Sequence, residues 1–358
     1  MDIVVIGAVV YLVTLFWPAF GKKPDAKKRE NYQKRASNFK DGKFHNLDEF
    51  YLFTDDSEMD NFFESDKRPV PIMTIPAKSP SFINHPTIDQ LSITWFGHSS
   101  LMIQMHGMNI LVDPVFSKRT SPFPLVGMKR FSRLPLSVEE LPNIDIVLLT
   151  HDHYDHLDYN TIKKIKDKAK HFVVPLGVES HLEKWNVDAN KIHSMAWWEE
   201  IDINGLTIGC TPATHFTRRS INDSFATLWA SFVLKDEYHQ IFESGDGGFG
   251  DHFKQIYQKY GLFDLVLGEC GQYNTLWKST HMFPNETYQL TKLLKASYVI
   301  PIHWGSFKLS NHPWDDPVTR LVKSSDNKKI KVITPMIGET IDFNHIDHYQ
   351  ERWYLEVE

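Results

Sequence analysis

A run that is apolar but for Asp145, Ile144 to Leu149, stops at Thr150-His151-Asp152-His153-Tyr154-Asp155-His156-Leu157-Asp158. The run reads as a strand buried on both faces, and the fold must then present a polar loop at its carboxyl end. Three imidazoles and Asp155 within six residues make that loop a metal site in prospect. A two-residue spacing in extended chain points His151 and His153 the same way, so they can share one ion. Asp155 and His156, one step further, are free to turn toward a second ion. Other donors sit at predicted strand ends: His215 after Pro212-Ala213-Thr214, Asp246 in Ser244-Gly245-Asp246-Gly247-Gly248, and His303 in Pro301-Ile302-His303-Trp304-Gly305.

Short β-rich runs at Ile93–Phe96, Leu101–Met105 and Asn109–Val112, with a turn at His106-Gly107, predict a meander that opens the catalytic domain. Helical spacing of Ile162, Ile165 and Ala169 predicts a helix over 159–170, followed by a strand at 172–174. Further strands are expected at 206–211 after the Asn204-Gly205 turn, and at 228–234, 240–242, 265–268 and 298–302. Helices are expected at 250–260, 285–295 and 317–324. Strands dominate early and alternate with helices later, which fits a layered α/β sandwich better than a uniform βαβ repeat.

The chain of 358 residues carries 39 Lys and Arg against 45 Asp and Glu, a net charge of −6 that gives no global field for nucleic acid. Two cysteines, Cys210 and Cys270, are too few for a disulfide framework or a thiolate zinc cage and suit a reducing compartment. Ile3 to Phe20 is uncharged, about the length that spans a bilayer core, and Lys22, Lys23, Lys27, Lys28 and Arg29 follow it. The charge order predicts a single N-terminal anchor helix over 1–20, with the bulk of the protein on the cytoplasmic side of the membrane. The competing reading is a buried core helix. Residues 21–79, charged and weakly periodic, read as a linker and wrapping segment with little chemistry, and 80–358 as the catalytic domain.

The His-x-His-x-Asp-His loop, with separated His215, Asp246 and His303, resembles the metallo-β-lactamase superfamily over about residues 93–343. The resemblance implies a four-layer αββα sandwich with two Zn²⁺ per chain. By it, His151, His153 and His215 hold one ion, Asp155, His156 and His303 the other, and Asp246 bridges them. Trp95-Phe96-Gly97-His98-Ser99-Ser100, Leu111-Val112-Asp113-Pro114-Val115-Phe116, Lys129-Arg130-Phe131, His153 to Tyr159, Ile302 to Gly305 and the prelude Asn38 to Phe44 look like the branch of N-acylphosphatidylethanolamine-hydrolysing phospholipases D. Gly268-Glu269-Cys270-Gly271-Gln272-Tyr273 departs from that branch, and ascorbate-phosphate lactonases share much of the scaffold.

The resemblance implies a hydrolase that cleaves a phosphodiester through a metal-bridging hydroxide, on a membrane phospholipid or a small phosphate ester. A lactonase on a phosphorylated sugar acid and a non-catalytic, membrane-associated regulatory protein are the alternatives. Asp155 joins the reacting centre, and His281, before a predicted helix, either protonates a leaving group or binds phosphate, against a purely structural hydrogen bond. His98 and Asp113 are expected to orient ligands. His106, His181 and His312 read as surface residues. Lys129-Arg130 and Arg218-Arg219 read as solvated charge with a headgroup contact as the functional option. The sequence leaves the oligomeric state open.

Overall fold

The computed structural model describes residues 16–53, 69–325 and 329–357. Two seven-stranded sheets face each other. The first holds β1 (Leu91–Trp95), β2 (Leu101–Met105), β3 (Met108–Val112), β4 (Ile144–Leu148), β5 (Ala169–Pro175), β6 (Ile192–Met195) and the late β14 (Thr340–Asp342), in the order β6-β5-β4-β3-β2-β1-β14. The second runs in chain order through β7 (Glu200–Ile203), β8 (Leu206–Thr211), β9 (Ser231–Lys235), β10 (Gln240–Glu243), β11 (Leu265–Glu269), β12 (Tyr298–Ile302) and β13 (Lys331–Val332). Each sheet is antiparallel on one side and parallel on the other, the parallel halves being β3 to β6 and β10 to β13.

The layering follows from the period of two in a strand. Ile110 and Val112, with Ile146 and Leu148, join the core between the sheets, where they share one apolar cluster with Leu206, Ile208, Phe232, Leu265 and Ile300. The intervening Leu111 and Val147 turn outward and pack with Ile162 and Ile165 of α2 (Tyr159–Ile165) and Leu182 of α3 (Glu179–Lys184). Val233, Phe242 and Val266 of the second sheet turn outward to Phe253 and Ile256 of α4 (His252–Tyr260), Leu290 of α5 (Pro284–Leu293) and Leu321 of α6 (Asp316–Ser325). The result is helix, sheet, sheet, helix, the sandwich that was expected.

The element reading needs two corrections. The helix expected over 159–170 ends at Ile165, because Ala169 already pairs with Ile144 as the first residue of β5. The strand expected from Leu228 begins at Ser231, since Leu228 and Ala230 donate their backbone N–H to the loop carbonyls of Leu176 and Thr150 instead. Most of the run read as a membrane span, positions 3–15, lies outside the described residues. Its described end is a single turn, Pro18–Phe20, and no helix among the described residues is long and apolar enough to cross a membrane.

The segment read as a linker enters the core. α1 (Ala26–Arg35) brings Tyr32, and a hairpin pairing Phe39 with Phe44 brings two rings, into the cluster between the sheets. Their centroids lie 4.7–5.7 Å apart. Phe44→Ala should therefore cost about 3–5 kcal/mol in a denaturant titration, the range for an aromatic core truncation. A loss below 1 kcal/mol would mean that this segment is only draped on the surface.

Candidate metal centre

Every expected ligand sits in a loop at the carboxyl end of a strand, where the two sheets meet. The meeting is made by backbone: His98 N–H donates to Trp304 O at 2.8 Å and His303 N–H to His98 O at 2.9 Å, which pins the β1–β2 loop to the end of β12. His98, Asp113 and His303 adopt left-handed φ of 57°, 36° and 66°. A side chain in that region costs roughly 1–3 kcal/mol and is held only where its surroundings over-determine it.

Two groups of donors result. In the first, His153 Nδ1 lies 2.9 Å from His151 Nε2 and 3.3 Å from His215 Nε2. In the second, His98, Asp155, His156 and His303 offer donor atoms within 4.8 Å of one another. Asp246 stands between the two. Its Oδ2 is 3.0 Å from His156 Nε2 and 3.9 Å from His151 Nε2, and its Oδ1 is 3.1 Å from His303 Nδ1. All seven residues expected as ligands thus converge. His98, expected only to orient, lies 2.8 Å from Asp155 Oδ2 and comes within reach of the same point.

The donor set suits cations. Two buried ring nitrogens here, His98 Nδ1 and His303 Nε2, have no hydrogen-bond partner. Each such atom costs about 1–3 kcal/mol unless something else satisfies it. Burial holds His151, His215 and His303 well below the usual imidazole range and His153 at about 4, so these rings are neutral donors. At His156 burial acts in the same direction but is outweighed by Asp246, Asp155 and Asp113, which hold it well above that range. Burial raises Asp246 to about 7 against the pull of His156. Carboxylates that pull one of the pocket's own imidazoles up against its burial give the site a field that suits positive charge. Three imidazoles on one side and imidazoles with carboxylates on the other match a pair of divalent transition ions.

The surrounding shell combines one expected residue with three that were given no role. Asp113 was expected, and its Oδ2 lies 2.7 Å from His156 Nδ1 and accepts the Thr150 hydroxyl at 2.6 Å. Thr150, Asn46 and Glu269 were not. The Asn46 amide brackets the His215 backbone, donating to its carbonyl at 2.8 Å and accepting from its N–H at 3.0 Å. The Glu269 carboxyl, buried and pushed well up by that burial, accepts from Gly247 N–H at 2.9 Å and contacts His281 Nδ1. The glycines beside Asp246 let backbones approach one another: a Cβ on Gly248 would fall 2.5 Å from Ser279 O and one on Gly245 2.6 Å from Ala230 O.

His281 stacks 5.1 Å from His303 and lies 5.4 Å from His215, between the two groups. Three histidines read as surface residues are not. His181 is buried with Nε2 3.2 Å from Asp152 Oδ2, His312 is half-buried and accepts from Gln272 N–H, and His106 is half-buried 3.5 Å from Asp236. In the two basic pairs Lys129 and Arg218 are exposed, whereas Arg130 and Arg219 are buried and bonded to backbone carbonyls.

Comparison with known proteins agrees with this geometry. Residues 108–304 match the model of the β-lactamase superfamily domain. The chain belongs to the metallo-β-lactamase superfamily. It is 36% identical over 329 residues to an uncharacterised protein of Mycobacterium tuberculosis (strain ATCC 25618 / H37Rv), covering 89% of this chain and 87% of the relative. It is 33% identical over 267 residues to N-acyl-phosphatidylethanolamine-hydrolyzing phospholipase D 1 of Caenorhabditis elegans, covering 70% and 75%. Among solved structures, the metallo hydrolase Igni18 of Ignicoccus hospitalis superposes with a TM-score of 0.55 at 20% identity, over 71% of this chain and 98% of that one. The chain is thus a metal-dependent hydrolase of this superfamily.

Asp113→Asn keeps the size of the side chain but removes the charge that faces His156. Competition against a chromophoric chelator should show metal affinity weakened by roughly 10–100-fold with the circular dichroism unchanged. Unchanged affinity would mean that His156 does not depend on Asp113.

Proposed function

We propose that the protein is a dinuclear zinc hydrolase that cleaves a phosphodiester, the headgroup bond of a phospholipid, at a membrane to which the uncharged run ahead of Trp17 anchors it with the catalytic domain on the cytoplasmic side. The observation that carries the chemistry is Asp246 standing between two donor groups, within 3.0–3.9 Å of His156, His151 and His303. Extent of identity to the nematode phospholipase supports the lipid substrate, and the uncharged run before Lys22 and Lys23 supports the anchor.

His151, His153 and His215 would hold one ion, Asp155, His156 and His303 the other, with Asp246 shared. When bound, the ions would lower the pKa of water toward neutrality and offset charge on the phosphoryl group. The chain's own part is positioning. Glu269 engages His281 Nδ1, which leaves Nε2 as the nitrogen for a substrate oxygen, and burial holds the ring below its ordinary range. Phe216, whose ring lies 4.7 Å from His153 and 5.0 Å from His215, and Phe50 at 6.4 Å from it, form an apolar wall beside the ligands that suits an acyl chain.

Purified protein should carry two divalent ions per chain by elemental analysis, and His151→Ala and Asp246→Ala should abolish turnover of a soluble phosphodiester while remaining folded. One ion per chain, with no gain on adding zinc, rejects the dinuclear reading. Parallel assays on N-acylated phospholipid, ordinary phospholipid and a phosphorylated lactone should favour the first; preference for the lactone overturns the substrate. His281→Ala should lower kcat by roughly 10²-fold or more with both ions retained, and a leaving group of low pKa should restore much of that loss. Loss of a metal instead would make His281 a ligand.

A further inference from the structure

We propose that the hairpin Arg119–Lys129 is a second membrane contact, carried by the catalytic domain itself, whose tip enters the outer part of an anionic bilayer beside the N-terminal anchor. Two short strands, Arg119–Thr120 and Met128–Lys129, form its stem. Its tip, Pro122 to Gly127, and the first stem residue after it place Leu125, Val126 and Met128 at 85%, 63% and 49% exposure, with no charged side chain between Ser121 and Met128. Three adjacent apolar groups held out in water are a cost that a soluble surface avoids and a lipid surface removes. Lys118, Arg119 and Lys129 ring the base, the arrangement that suits anionic headgroups above an inserted apolar tip.

The path of the chain selects a bilayer over a protein partner. The uncharged run that begins at Ile3 joins the described structure at Phe16 and Trp17, both exposed. Trp17 Nε1 donates to Pro122 O at 2.6 Å, and the rings of Trp17 and Phe20 lie 5.5 and 5.7 Å from Phe123. The next residues are strapped down: Trp185 Nε1 donates to Pro18 O at 2.7 Å, Arg219 to Ala19 O at 2.8 Å, and Lys22 N–H to His181 Nδ1 at 2.9 Å. An anchor leaving from Trp17 therefore brings the hairpin tip to the same surface. A cleft of about 460 Å³ lies between them, lined by Trp17, Phe123 and Tyr159 with Lys118 and Arg119 at its rim.

The hairpin is also tied to the metal loops. Arg130 donates to Ser306 Oγ at 2.9 Å and Phe131 N–H to Ser306 O at 2.9 Å, three residues after His303. Ser117 donates from N and Oγ to the Asp158 carboxylate at 3.0 and 2.9 Å, two residues after His156. Docking the tip would thus fix the height of the metal centre above the lipid, which deepens the phospholipid reading and rests on it for its purpose, though not for the contact itself.

The test uses the full chain in vesicles of phosphatidylcholine with phosphatidylglycerol. Cys210 and Cys270 are buried, so Leu125→Cys can be labelled alone with bimane, and Leu262→Cys serves as an exposed control far along the chain. Brominated acyl chains should quench the label at 125 at least several-fold more than the label at 262. Equal quenching overturns the proposal, and so does a label at 125 that is shielded from water without bromine quenching, since a protein would then cover the tip. The double variant Leu125→Asp with Val126→Asp should lower turnover of vesicle phospholipid by about tenfold or more and leave a soluble phosphodiester unaffected. If no phospholipid is hydrolysed but the label is quenched, the substrate reading fails and the contact stands.

Discussion

The Asp113 carboxylate holds together the two strand ends from which the site is built. It follows β3, is fully buried, and accepts the backbone N–H and the hydroxyl of Thr150, at 2.8 and 2.6 Å, the residue from which the His loop departs. Its own N–H donates to Leu148 O at 3.0 Å. A buried charge is stable only if it is fully paired, and here pairing consumes the first residue of the loop and the ring nitrogen of His156. β3 and β4 cannot slide past one another without breaking that set. Each ligand that follows inherits its position from a sheet whose register is locked at its polar end.

The layers and the ligands were legible because both depend on local pattern. The apolar run Ile144–Leu149 marks a strand buried on both faces, and His151, His153 and His156 are neighbours in the chain. Residues that act across long separations left no such trace. Asn46 lies 169 residues from the His215 backbone it brackets, and nothing in the composition of a charged, weakly periodic stretch marks it. Glu269 appeared only within a segment that departs from the phospholipase branch, although a carboxylate at the end of a fully buried strand was itself a signal. Arg130 and Arg219 were misread because a basic pair looks the same whether both partners are solvated or one is turned inward. In each pair one is: Arg130 lies 4.4 Å from the Phe307 ring, and Arg219 lies 4.2 Å from the Tyr154 ring.

Alternation in the His loop does a second job. While His151 and His153 turn toward Asp246 and His215, the intervening Asp152 turns away, accepting the Thr227 hydroxyl at 2.8 Å and facing His181 Nε2 at 3.2 Å. Its carbonyl accepts from Arg219, the same guanidinium that donates to Ala19. His181 in turn accepts from Lys22. The ligand loop is thereby one wall of the socket that receives the strap after Trp17. Through adjacent residues, one loop serves the metal centre on one face and the entry of the N-terminal chain on the other.

Burial of Arg130 and Arg219 also bears on how a phosphate ester could be recognised. Burial lowers Arg130 to about 10, so it stays charged at neutral pH, but both of its terminal nitrogens are committed, to Ser306 Oγ and to Val115 O. Arg219 commits Nε to Ala19 O and Nη1 to Asp152 O, and its Nη2 is buried without a hydrogen-bond partner. A bidentate clamp needs a guanidinium edge open to the ligand, and both of these guanidiniums are buried among the loops. In the proposed reaction a phosphoryl group would be met by the cations that the imidazole and carboxylate donors would hold, together with His281, while the guanidiniums use their hydrogen bonds to fix the loops that carry those donors.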